Sequence, residues 1–72
     1  MYRRRIELEL RMLRALLRSE RQRGDPDALT EFAERTDPIL ERVALEIEAE
    51  ADPELHELLA AVRAEVDGAR SS

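Results

Sequence analysis

Arg3, Arg4, Arg11, Arg14, Arg18 and Arg21 recur at spacings that place all six on one side of a helix. Guanidinium groups gathered on one face neutralise phosphates or dock the carboxylates of an acidic protein. The competing reading is a solvated face, or a face paired with acidic helices of the same chain. The distribution of charge bears on the choice. Residues 1–24 hold eight Arg and three Glu, and residues 25–72 hold four Arg and fourteen Asp or Glu, so +5 meets −10 within a net charge of −5. That split favours helix pairing, within or between chains. Nucleic acid is disfavoured as a partner by the negative total and by the lack of aromatics interleaved for base stacking. All twelve basic residues are Arg, and Lys and Asn do not occur. This composition reads as the trace of a GC-rich bacterial genome, which weakens any argument from Arg identity alone.

His56 follows Asp52 by four residues, a spacing at which two metal ligands share a helix face. Helical bundles that hold two metals use Glu-x-x-His, with further Glu from other helices. Here Pro53 stands three residues before His56, so that motif fails. Asp52 and His56 stay metal candidates only if a symmetric oligomer supplies more ligands. The chain has no Cys, which excludes thiolate sites and disulfides. Apart from Tyr2, the hydroxyl groups belong to Ser19, Thr30, Thr36, Ser71 and Ser72, and none lies near the lone His in sequence. Gly24 and Gly68 stand alone, so no phosphate-cradling loop is formed. Neither catalysis nor a cofactor is expected.

The elements that position these residues are helices throughout. Helix formers dominate and strand patterning is absent. The first helix is predicted from about Tyr2 to Arg23, with Gly24 as its stop. Asp25 then acts as N-cap and Pro26 takes the first helical position, where a missing N–H costs nothing. The second helix is predicted from Pro26 to about Ala51. Asp37-Pro38 interrupts it chemically, yet Leu29, Phe32, Ala33, Ile39, Leu40, Val43 and Ile47 stay in phase across the pair. One helix kinked near Pro38 is therefore favoured over two short ones. Asp52-Pro53 repeats the start signal, and a third helix is predicted to about Asp67, ended by Gly68 and a frayed tail over 68–72.

At 100° per residue the first helix carries two apolar stripes side by side. Tyr2, Ile6, Leu10, Leu13 and Leu17 form one, and Leu8, Met12 and Leu16 form the other. The second helix has one stripe and an outer face of Asp27, Glu31, Glu34, Glu41 and Glu48, with Leu45 on that acidic side. The third shows a seam of Leu55, Leu58, Leu59, Val62 and Val66. Near-heptad spacing and short connections predict antiparallel packing of neighbours at a shallow angle. If the third helix folds back, its seam is expected to cover the second stripe and complete a three-helix bundle.

The segment Arg23-Gly24-Asp25-Pro26-Asp27-Ala28-Leu29, followed by Arg35, Leu40 and Val43, resembles the helical-hairpin export chaperones of the flagellar and type III secretion type. The likeness spans roughly residues 10–47. It implies a chaperone that sequesters an aggregation-prone helix of a client, with Leu8, Met12, Leu16 and the third helix facing that client. The chain is shorter than most flagellar members, and Pro38 is not part of their pattern.

The sequence thus predicts a single all-α domain over residues 1–72, a helical hairpin plus a shorter third helix, that associates with itself or with a protein partner. Small cores of this kind often need oligomerisation for stability. Leu8, Met12 and Leu16, with Arg4, Arg11, Arg14 and Arg18, are the expected docking residues. Met12 adds adaptability to such a surface. The stretch Ile6 to Leu17 is broken by Glu7, Glu9, Arg11 and Arg14, so it reads neither as a leader nor as a membrane span, and a cytoplasmic location is expected.

Overall fold

The structure, a computed structural model, describes residues 2–71, with side chains for residues 3–70. Three helices follow one another: α1 (Tyr2–Gln22), α2 (Pro26–Glu48) and α3 (Pro53–Ser71). Local chemistry sets each boundary. Gly24 takes φ 74°, a left-handed conformation that ends α1 without a Cβ clash. The Asp25 carboxylate accepts from the amides of Asp27 and Ala28 at 3.1 and 3.2 Å and so caps α2. Asp52 does the same for α3, accepting from Glu54 and Leu55 at 3.1 and 3.4 Å. Both caps are followed by a proline at the first helical position.

Pro38 lies inside α2, which runs through it as one helix. The buried residues Leu29, Ala33, Thr36, Leu40, Val43 and Ile47 keep one phase on both sides of it, so packing outweighs the lost backbone bond. Thr36 is buried there, and its hydroxyl donates to the Phe32 carbonyl at 2.8 Å. The helix ends at Glu48, three residues before the predicted end. Glu50 N–H then bonds back to Ile47 at 2.8 Å as the chain turns toward Asp52.

All three helices pack on one another, and the bundle measures 37 × 17 × 16 Å. Cross-helix ion pairs fix the alignment. With only a short turn at 23–25 between the helices, the meeting of Arg42 with Glu9 sets α2 antiparallel to α1. Arg3–Glu54 and Arg14–Glu65 share the same sequence separation of 51, so α3 runs parallel to α1. The core takes Ile6, Leu10 and Leu17 from α1 and joins them to the α2 stripe and to Leu55, Leu59, Val62 and Val66 of α3. The side chain of Tyr2, grouped with this α1 stripe by its spacing, lies outside the described residues.

Two expectations are corrected here. Gly68 does not stop α3, which continues to Ser71. Gly24 is the sole glycine of positive φ, so Gly68 is an ordinary helical residue. Ala69 beyond it is fully buried, and Arg70 binds Asp37 of α2. Tertiary contacts thus hold a last turn that propensity alone would fray. Ser72, the end of the predicted tail, lies outside the described residues.

The surface that α3 covers also differs from the one expected. It folds back onto α1, but onto the flank of Arg3, Arg14 and Arg18, and its seam seals the stripe of Ile6, Leu10 and Leu17. Leu8, Met12 and Leu16 remain 57%, 61% and 46% exposed. The acidic residues Asp52, Glu54 and Glu65 draw α3 to the basic flank and away from the second stripe.

Candidate protein interface

Helix geometry explains how α1 serves two surfaces. Residues 6, 10 and 17 fall within a narrow arc at 100° per residue, and residue 8 falls nearly opposite them. Residues 12 and 16 sit between, on the side that faces α2. Leu8, Met12 and Leu16 therefore form a ridge of i, i+4 neighbours along the outer side of α1. Isolated exposed apolar residues are ordinary on protein surfaces, but three in one row are a continuous patch.

A shallow depression of about 490 Å³ opens on this ridge, lined by Arg4, Arg5, Leu8, Glu9 and Met12. Its floor is apolar and its rim carries two guanidinium groups. Among the described residues, Arg4 and Arg5 have no carboxylate partner. Glu9, on the far rim, is held by Arg42. The site therefore offers an apolar surface beside unneutralised positive charge. It suits the apolar stripe of an amphipathic helix with carboxylates along its edge.

The remaining predicted arginines divide by the partners they hold. Arg14 and Arg18 both bind Glu65 of α3, Arg18 at 3.5 Å. Arg14 is part of the bundle, with only 34% of its side chain exposed. Arg11 pairs with Glu7 one turn back at 2.8 Å and stays 67% exposed. Of the four arginines named from sequence, Arg4 borders the ridge without a partner, and Arg5 joins it. Sequence reasoning missed Arg5. Its signal was available, since it stands three residues before Leu8 and seven before Met12.

Arg3 and Asp52 make the most perturbed pair. Hydrogen bonding from Arg3 holds the Asp52 carboxyl below the usual carboxylate range; partial burial opposes this, and the Leu55 amide and the Arg3 charge reinforce it. The same hydrogen bond raises the Arg3 guanidinium pKa. This pair secures the bundle and lies on the α3 side of α1, away from the ridge.

His56 and Asp52 are not brought together as metal ligands. His56 Nε2 lies 3.1 Å from the Glu50 carbonyl, while Asp52 is occupied with Arg3 and the α3 amides. Among the described residues, no three His, Asp or Glu side chains converge as a metal site. No helix among them is long and apolar enough to cross a membrane. Leu45 lies on α2 opposite its buried stripe and is 70% exposed. In comparisons with known protein families, curated proteins and solved structures, nothing matches the chain.

Proposed function

We propose that this protein is a helical interaction module that takes up an amphipathic helix along the outer ridge of α1. The supporting observation is that α3 docks and still leaves Leu8, Met12 and Leu16 uncovered. The chain has used its own apolar surface to build a core, and this ridge is left over. Docking a helix there removes apolar area from water, at roughly 25 cal/mol per Å². The charged rim adds selectivity: Arg4 and Arg5 attract a partner with acidic flanks and repel a basic one.

A chaperone or adaptor works in this way by shielding a partner's apolar helix until it is needed. The resemblance to helical-hairpin export chaperones supports that version of the reading, with Leu8, Met12 and Leu16 facing the client. Its third helix has a different role from the one the resemblance implies, because here α3 completes the core.

The test is a double substitution, Leu8→Glu with Leu16→Glu. Helix content by circular dichroism should be unchanged, because neither side chain is in the core. Partner recovery with tagged protein, or mass in solution where the chain associates with itself, should fall relative to the unaltered chain. Equal recovery together with equal mass would overturn the proposal.

A further inference from the structure

Two rows of like charge run along the outside of the bundle. On α1, Arg4, Arg11 and Arg18 are spaced by seven residues, and all three are exposed. On α2, Asp27, Glu34, Glu41 and Glu48 are spaced by seven, and all four are exposed. Each row borders an exposed leucine at the same offsets. Leu8 comes four residues after Arg4 and three before Arg11; Leu45 comes four after Glu41 and three before Glu48.

We infer that the occupant of the α1 ridge is a second copy of this chain, seated head to tail by the outer face of its α2. The inference rests on the reading of that ridge as a docking surface. At 100° per residue the charges flanking each leucine lie to the same side of it, Arg4 and Arg11 about 40° and 60° from Leu8, and Glu41 and Glu48 about 40° and 60° from Leu45. Two helix faces built this way meet row to row only when the helices are antiparallel. Arg4 then faces Glu48 of the second copy, Arg11 faces its Glu41 and Arg18 faces its Glu34. The three pairings hold together because both rows advance by about 10.5 Å per seven residues. In that register Leu8 falls within one residue of the second copy's Leu45, and Met12 within two residues of its Pro38.

The state of the charges supports this match. Among the described residues, Glu34, Glu41, Glu48 and Arg4 have no ion-pair partner. Arg11 and Arg18 keep 67% and 61% of their side chains exposed, so their remaining N–H groups are free to donate outward. Arg35 and Arg42, on the other flank of the α2 face, are held by Glu31 and Glu9. Pairing α1 with α1 would set Arg against Arg, and pairing α2 with α2 would set Glu against Glu. Charge complementarity therefore selects the unlike faces. The two faces point in different directions around the bundle, so one contact cannot be made twice between the same two copies. Each addition leaves one α1 face and one α2 face open, which gives a ring if the rotation closes and a chain if it does not.

The test is mass in solution by light scattering across concentration and salt. At low salt the mass should rise past two copies with concentration, and high salt should return it to one. Leu8→Glu and Leu45→Glu should each remain single copies, with unchanged helix content. Their mixture should form a pair and nothing larger, because one variant keeps a working α2 face and the other a working α1 face. A single copy of the unaltered chain under every condition overturns the inference and leaves the α1 ridge to be judged by partner recovery. Assembly lost in Leu8→Glu but kept in Leu45→Glu also overturns it, while retaining the ridge as an interface. Assembly unaffected by either substitution overturns both.

Discussion

Arg3 in the first turn of α1 bonds to Asp52, the residue that caps α3. The pair joins the start of α1 to the start of α3, 49 residues away. It fixes the relative height of two parallel helices that have no direct connection. Asp52 serves both the cap and the latch, with Oδ1 on the α3 amides and Oδ2 on Arg3.

This double use makes a pH prediction. The folded Asp52 pKa is depressed below its unfolded value by the Arg3 hydrogen bond. A depressed carboxylate contributes stability above its unfolded pKa and loses it as pH falls through the folded pKa. The pair should therefore stabilise the bundle fully at neutral pH and cease to do so in strong acid. Asp52→Asn retains a good N-cap but removes the charge. Urea unfolding at neutral pH should show this variant less stable than the unaltered chain, with the gap closing in acid. A gap of constant size across that range would refute the assignment.

The two glycines should respond to alanine in opposite ways. Gly68 is helical, and a methyl group added to it meets no atom within 4 Å. Gly68→Ala should stabilise by about 0.5–1 kcal/mol through reduced backbone entropy in the unfolded chain. Gly24 also has room, but its φ of +74° strains any L side chain. Gly24→Ala should destabilise by about 1 kcal/mol. Thermal unfolding of both variants checks the pair, and a loss of stability in Gly68→Ala would show that α3 ends there after all.

Much of this fold was legible in the sequence because its signals were local. Asp25-Pro26 and Asp52-Pro53 marked two helix starts, and the α2 phase through Pro38 gave one helix instead of two. Gly68 misled because the signal it carries, a left-handed stop, is overridden by contacts that only the fold creates: Ala69 in the core and Arg70 on Asp37. The candidate interface was legible as a surplus of apolar residues on α1. Which half of that surplus α3 would cover was not, because the decision rests on cross-helix pairs from Asp52, Glu54 and Glu65 to Arg3, Arg14 and Arg18. Sequence periodicity sets faces but does not assign them to neighbours.

The two α1 stripes should separate cleanly in stability measurements. Leu10 is fully buried and Leu8 is 57% exposed. Leu10→Ala should cost about 2–5 kcal/mol, from lost burial and the cavity left behind. Leu8→Ala should change stability by less than about 0.5 kcal/mol, measured at a dilution where the chain is a single copy. Comparable costs at the two positions would mean that Leu8 is covered within the monomer, and the proposed docking ridge would then not exist.

The arginines divide in the same way, and a double-mutant cycle exposes the division. Arg14 and Glu65 are 34% and 26% exposed at their side chains, and they span α1 and α3. Exposed pairs couple by about 0.2–1 kcal/mol, and this partly shielded pair should fall in the upper half of that range. Arg14→Ala, Glu65→Ala and the double variant, compared by urea unfolding, give the coupling directly. Arg18 also reaches Glu65, so it should replace part of the loss and keep the single Arg14 effect small. Arg4→Ala should leave stability unchanged, since Arg4 has no partner among the described residues, and should instead weaken association at low salt. If Arg14→Ala weakened association as much as Arg4→Ala while its coupling to Glu65 was zero, Arg14 would belong to the docking surface, and the pairing that sets α3 against α1 would need another cause.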